Sequence, residues 1–458
     1  MHICFFESPP INSPPFNVME SPAIFAPLDP KEQPILESVL RIRDALQLLK
    51  QDKSSYIRSR DVLPLYEEVI EKVEKLNTIR KEQDRRLAHN RLDYVLDDCF
   101  QLISLLFLTV GRNNEAPAVY SLAATVQRLL DHLEEAGFYS AKDLSSITTT
   151  LADMHETLKR GQEDHSPALL TLLESRLDKC QIKLGKLQSG LAKLSPELAS
   201  IHETLVSILR STAAVNTRSK FSASEVNSLR DQLKKIENKM KDGNLVDSEG
   251  NPFANQEDVK SLMHRCWRWT EIVLEREGKI DERFREQYER LLDIRNQLDR
   301  LSVTQAWSLR ETDLFVYQRK LDRIDESRVN GNFVDTLGKP ADLHAQRTLL
   351  YLIRRSYAYI YALLISSEPV SEALLPVYNQ MQTLRRCLLE VKESGGVSNS
   401  RELYPYSMKL NSIDNMRVDG KFYVGNDIPE GQGGVNALLA ECYDLVWELR
   451  AAVSEDNE

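Results

Sequence analysis

Helix breakers are rare in this chain. Glycine and proline number 17 and 18 in 458 residues, and eight of the prolines fall within residues 1–34. The other 424 residues hold ten, which leaves room for long helices, and the abundance of Leu, Glu, Lys, Arg and Gln favours them. The six cysteines, Cys4, Cys99, Cys180, Cys266, Cys387 and Cys442, form no C-x-x-C pair. That spacing argues against a disulfide framework or a zinc cluster. The longest apolar run, Leu102 to Val110, is broken only by Ser104 and Thr109. It falls short of the roughly 20 residues that span a bilayer and reads as a buried helix. The opening residues MHICFFESPPINSPP lack the charged n-region and long h-region of a secretory signal. A cytoplasmic protein is expected, with the nucleus as an additional compartment. A net charge of −10 gives no general attraction to nucleic acid or anionic lipid.

Catalytic motifs are also missing. His155-Glu156 and His202-Glu203 begin like a zinc-protease helix, but Lys159 and Val206 stand where the second histidine is needed. Both dipeptides are expected to face solvent. Gly431-Gln-Gly-Gly434 is glycine-dense, yet it lacks the spacing and the following Lys-Ser/Thr of a phosphate loop and reads as a linker before the last helix. No nucleophile, base and orienting group can be named together. The expectation is a non-enzymatic protein with no cofactor and no metal site.

What the chain does have is a repeat. Val226, Leu229, Leu233, Ile236 and Met240 are spaced 3, 4, 3, 4 and are followed by Gly243. The pattern returns at Leu314, Tyr317, Leu321, Ile324 and Arg328 with Gly331, and at Leu403, Tyr406, Leu410, Ile413 and Arg417 with Gly420. An earlier copy runs Leu144, Ile147, Leu151, Met154 and Leu158 to Gly161. Such spacing is one face of an amphipathic helix, and the glycine is expected to end that helix in the left-handed conformation. Pro252, Pro340 and Pro429 each stand nine residues after a glycine, as a turn into the next helix. The apolar pair after the glycine is expected to fold back on the helix end. The following helix carries Cys180, Cys266 or Cys442, with Cys99 in a similar place; the copy around Tyr357 is tyrosine-rich instead. A third helix opens near Pro117, Pro196 or Pro376, and over Asp281–Leu301 without proline; Pro34–Lys50 is its earliest copy. The fold class is therefore all-α, about five three-helix units stacked as a solenoid or as consecutive packed bundles.

The expected boundaries are a proline-rich tail over 1–31, helical repeats over 32–215 and 216–452, and an acidic end at 453–458. In the tail, Ser8-Pro9, Ser13-Pro14 and Ser21-Pro22 are candidate phosphorylation sites, with Met19 as a second start that would keep only Ser21. Added phosphate on so acidic a chain would need a basic patch such as Arg354-Arg355 or Arg385-Arg386. Tyr351, Tyr357, Tyr359 and Tyr361 lie near Arg354 and Arg355. Arg354, Arg355, Tyr357 and Tyr361 are the candidate anion or partner patch, weighed against Tyr357 and Tyr361 on a buried face and Tyr359 partly exposed. Trp267 and Trp269, beside Arg265 and Arg268, pose the same choice.

The loops NLVDSEGNP and NFVDTLGKP, the helix PVYNQMQTLRRCLLEV and the stretch DLVWELR resemble a family of fungal proteins of uncharacterised function, defined by a domain of unknown function that occurs twice per chain. The resemblance covers nearly all of the chain beyond the tail. It implies a helical cytosolic or nuclear protein and supplies no catalytic or binding residues. Together these readings point to a helical scaffold or adaptor that binds other proteins. The alternative is a helical small-molecule or anion binder with an interhelical pocket near residues 351–361.

Overall fold

The computed structural model describes residues 27, 29–81, 90–241, 243–246 and 251–455, with side chains left aside at 81, 305–308 and 453–455. Ser8, Ser13 and Ser21 lie outside the described residues. Fifteen α-helices account for most of what is described: α1 (Gln33–Gln51), α2 (Ser59–Lys81), α3 (Arg91–Thr109), α4 (Val119–Ala136), α5 (Ala141–Arg160), α6 (Pro167–Leu191), α7 (Pro196–Asn216), α8 (Ala223–Glu237), α9 (Glu257–Arg276), α10 (Arg285–Ser308), α11 (Leu314–Glu326), α12 (Leu343–Ile365), α13 (Leu375–Glu393), α14 (Tyr404–Asp414) and α15 (Gln432–Glu455). The protein is all-α. None of the described helices is long and apolar enough to cross a membrane.

The closest neighbours in the chain of helices are α1 with α3, α4 with α6, α7 with α9, α10 with α12, and α13 with α15. The packing therefore groups the helices in threes, with the proline-opened helix first and the cysteine-bearing or tyrosine-rich helix third. Buried thiols sit in these seams. Cys99 donates to the Val39 carbonyl at 3.7 Å, Cys266 to Leu205 at 3.5 Å and Cys442 to Met381 at 3.6 Å. Burial pushes all these thiols up, Cys180 and Cys442 to about 11 and Cys266 to about 12, so they behave as small apolar groups. Leu233, Leu321 and Leu410 are fully buried, as the 3-4 spacing requires.

The threes do not line up as a linear stack. One apolar core joins α1–α6 to α10–α12, while α7–α9 and α13–α15 each enclose a core of their own. The run Leu102–Val110 is buried throughout at the centre of the first core. The last three helices meet the rest across a polar seam instead. Arg310 pairs with Glu372 at 2.6 Å, Tyr56 donates to Asp427 at 2.6 Å and Arg112 pairs with Glu430 at 3.1 Å. Backbones touch there: a side chain on Gly111 would lie 2.6 Å from the Ser371 nitrogen.

Two expectations about the loops need correction. Gly243, Gly331 and Gly420 do have positive φ, but they sit five or six residues beyond the helix ends, at the turns of tiny β-hairpins. Met240–Lys241 pairs with Asn244–Leu245, Arg417–Val418 with Lys421–Phe422, and Val329 bridges Asn332. Gly161 caps α5 with φ −82°, so it is not left-handed. The structural reason is that the chain turns back to bury the second residue after each hairpin glycine, Leu245, Phe333 or Phe422. A glutamine of the next helix holds that residue's backbone. Gln346 accepts from the Phe333 N–H at 3.0 Å and donates to its carbonyl at 2.9 Å; Gln432 does the same at Phe422, 2.9 and 2.8 Å. Gln256 accepts from Leu245 N–H at 2.7 Å. At the start of the fold, Asp29 opens a short 3-10 turn, Pro30–Glu32, within the segment read as extended.

Leu410→Ala should lower unfolding stability by about 2–5 kcal/mol, as for a well-packed leucine. Gln346→Ala leaves the buried Phe333 N–H without its partner, while the Phe333 carbonyl keeps the Ala341 N–H at 2.9 Å, and should cost about 1–3 kcal/mol. Denaturant titration followed by circular dichroism measures both. Changes below about 0.5 kcal/mol, the range of a surface substitution, would show that neither the seam nor the clamp holds the fold.

Candidate functional site on the tyrosine-rich helix

Helix α12 packs against α4, α7, α9, α10 and α11, so its polar side chains are forced to find partners inside the protein. Toward its C-terminal half they meet a network of charges. Tyr357 donates to Asp322 at 2.7 Å. Asp322 faces Arg128 at 3.4 Å and Arg319 at 3.5 Å, and Arg319 also holds Asp97 at 2.9 Å and pairs with Asp98. Arg176 donates to Asp97 at 3.0 Å and to the Tyr120 hydroxyl at 2.7 Å. His132 lies 3.1 Å from Asp325, which also pairs with Arg328 at 2.8 Å. Five carboxylates (Asp97, Asp98, Asp322, Asp325, Glu326) thus face four guanidinium groups (Arg128, Arg176, Arg319, Arg328). Burial pushes the Asp98 and Asp322 carboxyls up despite Arg319 and Arg128. At Asp97 burial acts the same way, but Arg319 and Arg176 outweigh it and hold the group below the usual range. A network so nearly neutralised within itself has little left to offer a ligand, and its role is to join α3, α4, α6, α11 and α12.

The four residues of the candidate patch are not brought together. Tyr357 and Tyr361 are buried, and Tyr361 bonds Thr150 at 2.7 Å and Ser146 at 3.0 Å. Arg355 is exposed and lies over the half-buried Tyr359 ring, 4.4 Å from its centroid. Arg354 is half-buried and points toward Glu135 at 3.7 Å. Arg385 is engaged by Glu441 at 2.6 Å. The helical period turns Arg355 away from the other three, and Arg354, on the side of Tyr357 and Tyr361, is directed to Glu135 instead. The dipeptide His202-Glu203 is half-buried rather than solvent-facing, and Glu203 accepts from the Ala141 N–H at 2.7 Å where α5 begins.

A second group of arginines, on α9 and the N-terminal half of α12, has a different character. Arg265 donates to the Ala136 carbonyl at 2.7 Å, Arg347 lies over the Trp269 ring at 5.4 Å, and Arg268 is exposed. Burial, and then the neighbouring Arg265 and Arg268, pull the Arg347 guanidinium down to about 10. Burial also brings Arg354 to about 10, with Glu135 opposing and Arg328 and Arg265 assisting. Both stay cationic at neutral pH. Spacing alone could not find this group, since Arg265 and Arg347 are 82 residues apart and meet only through the packing of α9 on α12. Among the described residues no cluster of three His, Cys, Asp or Glu side chains could hold a metal ion.

The comparisons agree with this architecture. The family described as "Protein of unknown function (DUF2408)" matches residues 191–311 and 367–458. Those stretches contain α13–α15 and α7–α10, that is, the two groups that enclose their own cores together with α10 of the shared core. A CUB1 family protein of Schizosaccharomyces pombe is 40% identical over 93% of this chain and 94% of its own length. The chain belongs to the CUB1 family. Another relative, the Cu(2+) suppressing and bleomycin sensitive protein 1 of Saccharomyces cerevisiae, is 37% identical over 93% of this CUB1 family chain and 91% of its own. No solved structure matches. The fungal resemblance read from the loops, with its domain of unknown function found twice, is thereby shown.

Two outcomes follow from the network and from the polar cluster at the start of α12. Arg319→Met leaves Asp97 and Asp98 buried without their shared cation and should cost about 3–5 kcal/mol, measured by denaturant unfolding. A loss under about 1 kcal/mol would mean that the network is solvated and dispensable. His344 gives a pH effect. Its Nε2 lies 3.0 Å from Asn216 Oδ1, whose amide group donates to Thr348 at 2.9 Å, so the ring is neutral with Nε2–H donating. Burial holds its pKa below the ordinary value, and Nδ1 has no acceptor. The unfolded histidine takes up a proton near pH 6.5, the folded one only lower. This contribution to stability is therefore complete above about pH 6.5 and lost as pH falls, at no more than about 1.4 kcal/mol per pH unit. Melting temperatures from pH 7.5 to 5 should fall less steeply in His344→Gln than in the wild type. Parallel slopes would exclude His344 as a contributor.

Proposed function

We propose that this protein is a non-enzymatic scaffold or adaptor that binds other proteins, acting in the cytoplasm and also the nucleus. The observation that carries the reading is an exposed aromatic and thioether surface on the last three helices. Tyr404 and Met408, one turn apart on α14, are 65% and 51% exposed, and Trp447 on α15 is 70% exposed. The Tyr443 hydroxyl donates to Asn411 at 3.0 Å, which sets α15 beside α14 and brings Trp447 level with the turn holding Met408. Met416, Val418 and Tyr423 extend the surface along the hairpin that follows α14. Contiguous apolar surface is uncommon on proteins that work alone, and Trp, Tyr and Met are the residues that interfaces concentrate. The surface sits on a group of helices with its own core, so a partner can dock there without disturbing the larger core.

The test is affinity purification of the tagged full-length protein from its native extract, beside a Tyr404→Ala/Met408→Ala/Trp447→Ala variant. A stoichiometric protein partner is expected with the wild type and should be lost, or reduced at least tenfold, with the variant. These side chains are exposed, so the variant's circular dichroism should be unchanged. A wild-type chain that co-purifies with no stoichiometric protein would refute the reading.

A further inference from the structure

A buried guanidinium group without a carboxylate leaves a charge for something else to answer. Among the described residues, Arg265, Arg268 and Arg347 have no Asp or Glu partner within ion-pair distance. Arg265 is met by the Ala136 carbonyl at the end of α4 and by the Phe138 ring, 5.4 Å from its centroid, and neither carries a full negative charge. Arg347 lies over the Trp269 ring, 5.4 Å from its centroid, and its Nη1 is buried without an acceptor. Seven residues on, Arg354 stands on the same face of α12, two turns and about 10 Å away. Its Nε is likewise buried without an acceptor, and the one carboxylate within ion-pair distance among the described residues, Glu135, is at 3.7 Å. Arg265 and Arg354 both reach the end of α4, at Ala136 and Glu135. The end of α4, the middle of α9 and the first half of α12 therefore bring four arginines together against one carboxylate.

We propose that this row of arginines is a binding site for a free, multiply charged phosphate compound. Guanidinium forks match the oxygens of phosphate in pairs, and stacking on Trp269 holds one fork with its N–H edge free. A single carboxylate would answer one arginine and leave the others. A run of linked phosphoryl groups can follow a row about 10 Å long. A long nucleic acid is disfavoured, because its remaining phosphates would meet a chain of net charge −10. The site is separate from the exposed surface on α14 and α15 and does not depend on it.

Inorganic tripolyphosphate is the probe, titrated calorimetrically into the full-length protein at low salt and pH 7, with sulfate as the comparison anion. One tripolyphosphate per chain is expected, bound at least tenfold more tightly than sulfate. Arg347→Gln and Arg354→Gln should each weaken it tenfold or more, and Arg41→Gln, on α1 far from the row, should leave it unchanged. If the buried substitutions lower helix content, exposed Arg268→Gln carries the test, with a loss of threefold or more expected. Binding no tighter than sulfate, or binding that all three row substitutions leave within twofold, would overturn the site. A doubly phosphorylated serine peptide that competes more strongly than tripolyphosphate would overturn the free compound as its ligand in favour of a phosphoprotein.

Discussion

Enclosing α12 among five other helices obliges every polar group it carries to be answered from within the protein. The C-terminal half meets that demand through Asp322 and the charges linked to it. The N-terminal half meets it at His344, Asn216 and Thr348, which satisfy one another in a closed chain of hydrogen bonds. Between them lies the stretch at Arg347 and Arg354 where the demand is not met. The same helix thus holds together parts of the chain hundreds of residues apart and carries a place where cations outnumber their partners.

How much of this was legible depends on the range of the interaction. Leu233, Leu321 and Leu410 announce themselves because one helix face needs only its own sequence to be read. The buried Tyr357 and Tyr361 follow from the same periodicity. The hairpins did not, since a glycine after an amphipathic stretch marks a helix cap and a tight turn equally well. The signal that separates them is a glutamine: Gln256, Gln346 and Gln432 each stand ten residues before Cys266, Ser356 or Cys442. A fixed offset between a polar residue and a buried small one points to a loop clamped onto a helix. The row of arginines was beyond reach, because a local reading of Arg354-Arg355 joins two residues that the helix turns apart, and hides the partners that packing supplies.

The two ways in which helices are joined also differ in strength. Apolar burial unites α1–α6 with α10–α12, whereas Arg310, Glu372, Tyr56 and Asp427 join α13–α15 to them by paired charges and hydrogen bonds. Interfaces of the second kind resemble those between separate proteins. Gly111 lets the two backbones come close enough for such pairs to form, so main-chain shape helps to set this seam.

The shared core has a consequence for the order of events on the ribosome. Its first six helices emerge early, but the faces they present are covered only when α10–α12 arrive, after the whole of α7–α9 has been made. The face of α3 that meets α11 is among the surfaces that wait. While synthesis proceeds at about 5–20 residues per second, such surface stays open to misassembly for many seconds. The helices α7–α9 and α13–α15 close on themselves and carry no such delay. Birth, for this chain, therefore leans on chaperones mainly between the end of α6 and the end of α12.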